Sequence, residues 1–211
     1  MTVYALNQTP TSVRVGMIGN TGLATSGLIG SAQTIDRQGL KWSFAYGFAE
    51  LRGDDRADLL GTIALLRTQA HRLRVPVFDN PNRGAYGGTP LVNGASQTGN
   101  TLTIDGASLS VTNWIRKGDY FSVIVGTEPE LKMATADANS DGAGNVTLTF
   151  EPKLRASPSD GAAIHVQDGV LTKPAGVFML AANEIDWESF KHRGLHTNIT
   201  LELIEDVFAT Q

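Results

Sequence analysis

Trp42-Ser43-Phe44-Ala45-Tyr46-Gly47-Phe48 decides the fold: four aromatic rings alternate with small residues, so all four fall on one face of an extended strand. A face of that kind needs a cover, and the next segment supplies one. Asp54-Asp55 open a helix whose expected N-cap is Gly53 or Asp54, with the acids facing the positive end of the helix dipole. Leu59, Leu60, Ile63 and Leu66 recur at helical spacing as one apolar stripe, and the helix is expected to end near Arg67. A half-buried sheet opposite an amphipathic helix accounts for the four rings better than a stacking platform for sugars or bases does.

Upstream, residues 1–40 are small, polar and punctuated by glycine. Val13-Arg14-Val15, Met17-Ile18 and Gln33-Thr34-Ile35-Asp36 read as brief strands, and Gly19–Gly30 as a loop that orders against a neighbour. Downstream, Leu73, Val75 and Val77 alternate with Arg72, Arg74 and Pro76 in a strand over His71–Phe78. Pro76 has no amide proton for a ladder, so this strand ends there or lies at an edge. Asp79 to Pro90 has pure loop composition and marks a boundary.

From Leu91 to Val166 the text is β throughout. Strands are expected at Leu91–Asn93, Thr101–Ile104, Ser108–Thr112, Tyr120–Val125, Leu131–Ala136, Val146–Phe150 and Ala162–Val166, with Asp105-Gly106 as a hairpin turn. Asp168-Gly169 through Lys173-Pro174 form a second breaker. Val177–Leu180 and Thr197–Phe208 are again strands, separated by a loop carrying Trp187. Ile199, Leu201, Leu203 and Glu205 share one face of the last strand. The expected fold is mainly β. A β-sandwich with one helix is built from residues 1–80 and 175–211, and a small β-barrel or sandwich module is inserted over 90–170.

Composition narrows the function. An apolar fraction of 41% and a net charge of −4 exclude a disordered chain. The absence of cysteine excludes disulfide frameworks, thiolate metal sites and thiol nucleophiles. Mild acidity argues against a general nucleic-acid or anionic-membrane binder. No apolar run approaches the ~20 residues that span a bilayer, and Met1–Leu6 lacks a signal-like pattern, so a soluble product is expected. Only 18% of residues are charged, against about 25% in an average domain, which suits a surface partly covered by a partner.

The search for chemistry returns little. Asp137-Ala138-Asn139-Ser140-Asp141-Gly142 matches the first half of a calcium loop, but Leu148 stands where a bidentate glutamate is needed and strands flank the segment. A turn rich in Asp, Asn and Gly is the expectation. His192 and His196 have helical metal-pair spacing interrupted by Gly194, while His71 and His165 sit at strand edges. There is no Gly-x-Ser-x-Gly elbow, phosphate loop or dinucleotide fingerprint. Asp54/Asp55 read as a capping feature and Glu205/Asp206 as a solvated edge. No catalytic, cofactor-binding or metal-ligating residue is expected. Trp114 and Trp187 fall in loop-like text, and with Tyr86 and Arg83 they are the candidate interface anchors, since Trp, Tyr and Arg concentrate at interfaces. A carbohydrate-binding role would use Trp114, Trp187 or Tyr86, and a cell-wall hydrolase has only scattered carboxylates and histidines behind it.

The order of phrases carries a resemblance. Trp42–Phe48 is followed by the Leu59-Leu60 helix, then Val75-Pro76-Val77-Phe78-Asp79 and Arg83-Gly84-Ala85-Tyr86-Gly87-Gly88-Thr89-Pro90. Val92–Gly99, Gly118-Asp119-Tyr120-Phe121, Asp137–Asn145, Leu148–Arg155 and Gly176–Leu180 come after them. Across residues 40–208 this resembles a family of tailed-bacteriophage minor tail proteins, similar to the distal tail protein of siphophages. The resemblance implies a homo-hexameric ring in the virion tail, assembled in the host cytoplasm, with tail tube, tail hub and other tail-tip proteins as partners. It implies no catalysis, and no specific nucleic-acid binding even where DNA passes through the ring. A heterologous ring needs two complementary patches per subunit.

Overall fold

The computed structural model describes residues 1–25, 27, 29–36, 39–79, 83–166, 173–191 and 196–207. In chain order the first elements are β1 (Val3–Ala5), β2 (Ser12–Ile18), β3 (Thr21–Thr25), β4 (Ala32–Asp36), β5 (Lys41–Leu51), α1 (Gly53–Leu66) and β6 (Arg72–Pro76). Then come β7 (Gly88–Val92), β8 (Thr101–Ala107), β9 (Tyr120–Val125), β10 (Glu128–Ala134), β11 (Val146–Glu151) and β12 (Ile164–Val166). Last are β13 (Ala175–Leu180), β14 (Glu188–Phe190) and β15 (His196–Glu205). The fold is mainly β: a β-sandwich with one helix, plus an inserted barrel-like module.

The larger sheet runs β1-β6-β13-β15-β5-β2, with β14 also on β15, and so draws its strands from both ends of the chain. Every described pairing in it is antiparallel except β1 on β6. Alternation does what the sequence demands: Trp42, Phe44, Tyr46 and Phe48 all point into the core. Leu59, Ile63 and Leu66 of α1 close over them. The sheet wraps rather than lying flat. Tyr46 Oη donates to the Pro76 carbonyl at 2.8 Å although β15 and β13 run between their strands, a flat-sheet separation of about 14 Å. Phe44 and Phe178 likewise stack at 4.6 Å across β15.

The second sheet runs β12-β9-β10-β11-β8-β7. Its ends meet: Val92 N–H donates to Ala162 O and Gly161 N–H to Val92 O, each at 2.9 Å, and Leu91 bridges Ala163. The result is a nearly closed barrel around Trp114, Phe121, Phe150, Leu102, Ile104 and Leu148.

Several expectations need correction. Asp105-Gly106 does not turn the chain; β8 passes straight through it, and Ser108–Thr112 is not a strand. The register against β7 slips there, so the positive φ of Gly106 (70°) makes a bulge instead of a hairpin. The N-cap of α1 is Arg52, with extended backbone and no side-chain bond, although Asp54 and Asp55 do occupy the first turn. Thr21–Thr25, expected in a loop, pairs with β4 as a separate two-stranded ribbon. Phe208, most of the 168–174 breaker and His192 lie outside the described residues.

Candidate assembly surfaces

The expected anchors separate into two groups. Trp114 is fully buried in the barrel, with its Nε1 donating to Gly87 O at 3.1 Å and the Tyr86 ring edge-on at 5.8 Å. Tyr86 is buried as well, and its hydroxyl donates to Asp119 Oδ2. Burial first, then that bond to a carboxylate, pushes the Tyr86 phenol well above its ordinary range. Neither ring offers surface to a partner, because both complete the barrel core. Arg83 keeps an exposed side chain that donates to Lys117 O. Trp187 is 46% exposed, just ahead of β14.

Asp119 is a residue that sequence reading did not single out. It is buried and accepts the backbone N–H groups of Arg83, Gly84 and Arg116, each at 2.9 Å, besides the Tyr86 hydroxyl. A buried carboxylate is tolerable only when its lone pairs are filled in this way. Two phrases of the resemblance, Arg83–Tyr86 and Gly118–Phe121, are thereby stitched together.

The Asp137–Asn145 segment is a turn whose oxygens serve the backbone. Asp137 Oδ1 accepts from Lys117 N–H at 2.8 Å and Asn139 Oδ1 from Asn113 N–H at 2.7 Å. Asp141 accepts from Ala143 N–H, Asn145 N–H and Asn145 Nδ2, and these bonds hold its carboxyl below the usual range. Among the described residues no group of three or more His, Asp and Glu could hold a metal ion. His71 Nδ1 accepts from Thr2 N–H at 3.3 Å, and His165 is held below its ordinary pKa by burial and by Arg74.

Sandwich and barrel meet through a buried polar cluster. Glu205 and Asp206, expected at a solvated edge, are both enclosed. Glu205 Oε2 accepts from Trp42 N–H at 3.0 Å and lies 3.5 Å from Arg155 Nη2, which also donates to Leu40 O. Lys132 pairs with Glu130 at 2.9 Å and donates to Lys153 O at 2.9 Å. Burial lowers the Lys132 pKa and raises that of Glu205. Trp42 Nε1 donates across the junction to Leu131 O at 3.0 Å, and Tyr120 Oη to Asp79 Oδ2 at 2.9 Å. Asp206 pairs with Arg72 inside the sandwich.

The clefts are shallow. One of about 590 Å³ lies between the root of the β3–β4 ribbon and the barrel, lined by Ile18, Asn20, Lys41, Lys153 and Arg155 among others. It brings no base to a nucleophile. Among the described residues no helix is long and apolar enough to cross a membrane. No protein-family model matches the chain, and no curated protein matches it.

Proposed function

We propose that this chain is a structural subunit of a phage tail tip, a distal tail ring that connects the tail tube to the hub and adsorption apparatus. The ordered phrases between residues 40 and 208 motivate the reading. The observation that carries it is surface area. The chain exposes 10989 Å², whereas a compact monomer of 22.5 kDa exposes about 9,500 Å². Surface beyond that of a compact monomer is what projecting elements such as the β3–β4 ribbon add, and it suits a subunit that neighbours cover. A ring subunit needs two different patches, one for each neighbour.

In this reading the chain works by fitting rather than by transforming a molecule, and six copies close around the axis. Tube, hub and other tail-tip proteins stack on the ring, and the protein resides in the virion tail. The net charge of −4 suits a lumen that lets DNA pass without gripping phosphates. A sugar-binding role is the weaker reading, because two of its three aromatic rings, Trp114 and Tyr86, are enclosed.

Light scattering and electron microscopy of the purified chain, alone and with its tube and hub partners, test the proposal. Rings of six times the 22.5 kDa chain mass are expected. Monomer in every mixture would overturn it.

A further inference from the structure

Resting on that reading, we infer that the β3–β4 ribbon of one subunit docks on the Trp187–β14 edge of a second copy, as the head-to-tail contact of the ring. No Asp, Glu, Lys or Arg lies between Arg14 and Asp36. Apart from Asp36 at the end of β4 the ribbon is uncharged, and β3 and β4 pair with each other and, among the described strands, with nothing else. Leu23, Ile29 and Ile35 are 68%, 81% and 49% exposed, and Met17 and Ile18 continue the apolar surface at the root. A two-stranded ribbon is marginal alone in water, and an uncharged apolar edge invites pairing. The ribbon therefore needs a cover.

The remaining large exposed apolar side chains indicate where that cover is. Met1, Leu65 and Leu109 are far apart in the sequence, while Trp187 and Phe190 flank Glu188 and Ser189 at β14. β14 pairs only along the first residues of β15, and no second described strand lies on its outer side. The residues around it carry both signs, Glu184, Asp186 and Glu188 up to β14 and Lys191 just after it, so a ribbon of almost no charge meets no single-sign field there.

Geometry makes the contact intermolecular. The ribbon is rooted where Ile18 pairs with Lys41, at the start of β5. β14 lies where Thr197 pairs with Leu51, at the far end of the same strand. The ten steps along β5, at about 3.3 Å each, put the two patches about 33 Å apart. β2 runs antiparallel to β5 and ends at Ile18 beside Lys41, so the chain enters the ribbon at the end of the sheet opposite its own β14 edge. Two different patches at opposite ends of one strand satisfy each other only between copies, and such heterologous contacts close into rings.

Substitution and cross-linking test the contact. Leu23→Lys with Ile35→Lys changes two exposed side chains, so the monomer should keep its circular dichroism and melting temperature. The concentration for half-assembly should rise about ten-fold or more, and Trp187→Ala should act in the same direction. The chain has no cysteine, so Ile35→Cys combined with Glu188→Cys gives a clean background for a short bismaleimide. The double variant should yield a ladder of linked subunits, and an equimolar mixture of the two single variants should stop at dimers. Native-like rings in the lysine variant, or no cross-link within assembled rings, would overturn this contact and leave the ring standing. A native chain that stays monomeric with hub and tube would overturn the ring itself.

Discussion

Truncating Trp114 removes a ring that the barrel encloses on every side and leaves Gly87 O without its donor. Trp114→Ala should cost about 3–5 kcal/mol in urea unfolding. Trp187→Ala, on an exposed ring, should fall within about 0.5 kcal/mol of the parent. Equal losses would contradict this division of labour. The two tryptophans look alike in the sequence because both fall in loop-like text, and nothing local reveals that Asp119 folds residues 83–86 back over one of them. Glu205 shows the converse. Its place on the apolar face of β15 follows from strand alternation, but what satisfies it there, Trp42 N–H and Arg155, comes from far along the chain. Burial raises its pKa above the ordinary 4.5, against the opposing pull of Trp42, Lys132 and Arg155. A raised acid contributes stability that is fully present below 4.5 and is lost as pH rises through the raised value. Relative to Glu205→Gln, the parent should therefore lose stability from mildly acidic toward neutral pH. Parallel urea midpoints for the two proteins across that range would contradict it.

Strands carried by periodicity form where their residues place them: β5, β9 and β13 follow their alternating or continuous apolar runs, and α1 its apolar stripe. Elements defined by backbone geometry are less legible. Asp105-Gly106 has the composition of a two-residue turn, but glycine's access to positive φ serves a bulge as readily as a reversal. At Gly106 a Cβ would collide with the carbonyl oxygen of Thr89 on β7, so the bulge is also a close approach of two strands. Gly106→Ala should cost about 2–4 kcal/mol, combining a strained φ with that collision. A variant as stable as the parent would mean that the strand slips its register freely. Of the ribbon, β4 is legible over Gln33–Asp36, whereas β3 is not, for a different reason. Small residues without a buried face carry no alternation signal, and such a ribbon shows itself only as surface left over once the rest has folded.

At the scale of the whole molecule, the question is whether barrel and sandwich unfold together. The sandwich core takes in Tyr120 and Leu131, which belong to barrel strands, and Trp42 bonds across the junction to Leu131 O. The barrel nevertheless has a second buried cluster of its own around Trp114 and Phe121. Coupling therefore depends on a few side chains at the junction, with Trp42 the largest among them. Trp42→Ala removes a buried ring from the sandwich, a loss of about 3–5 kcal/mol, and breaks the bond to the barrel while leaving the barrel cluster untouched. In that variant Trp114 is the one enclosed indole left among the described residues, so its emission reports the barrel, while far-ultraviolet circular dichroism reports all strands. The parent should unfold with coincident transitions by both probes. The variant should separate them, with the Trp114 signal persisting to higher denaturant because the sandwich opens first. Coincident transitions in the variant would show that Lys132, Arg155 and Glu205 with their partners hold the two sheets as one cooperative unit without the indole. The contact proposed at the ribbon would then act on a single rigid body rather than on a separable sandwich.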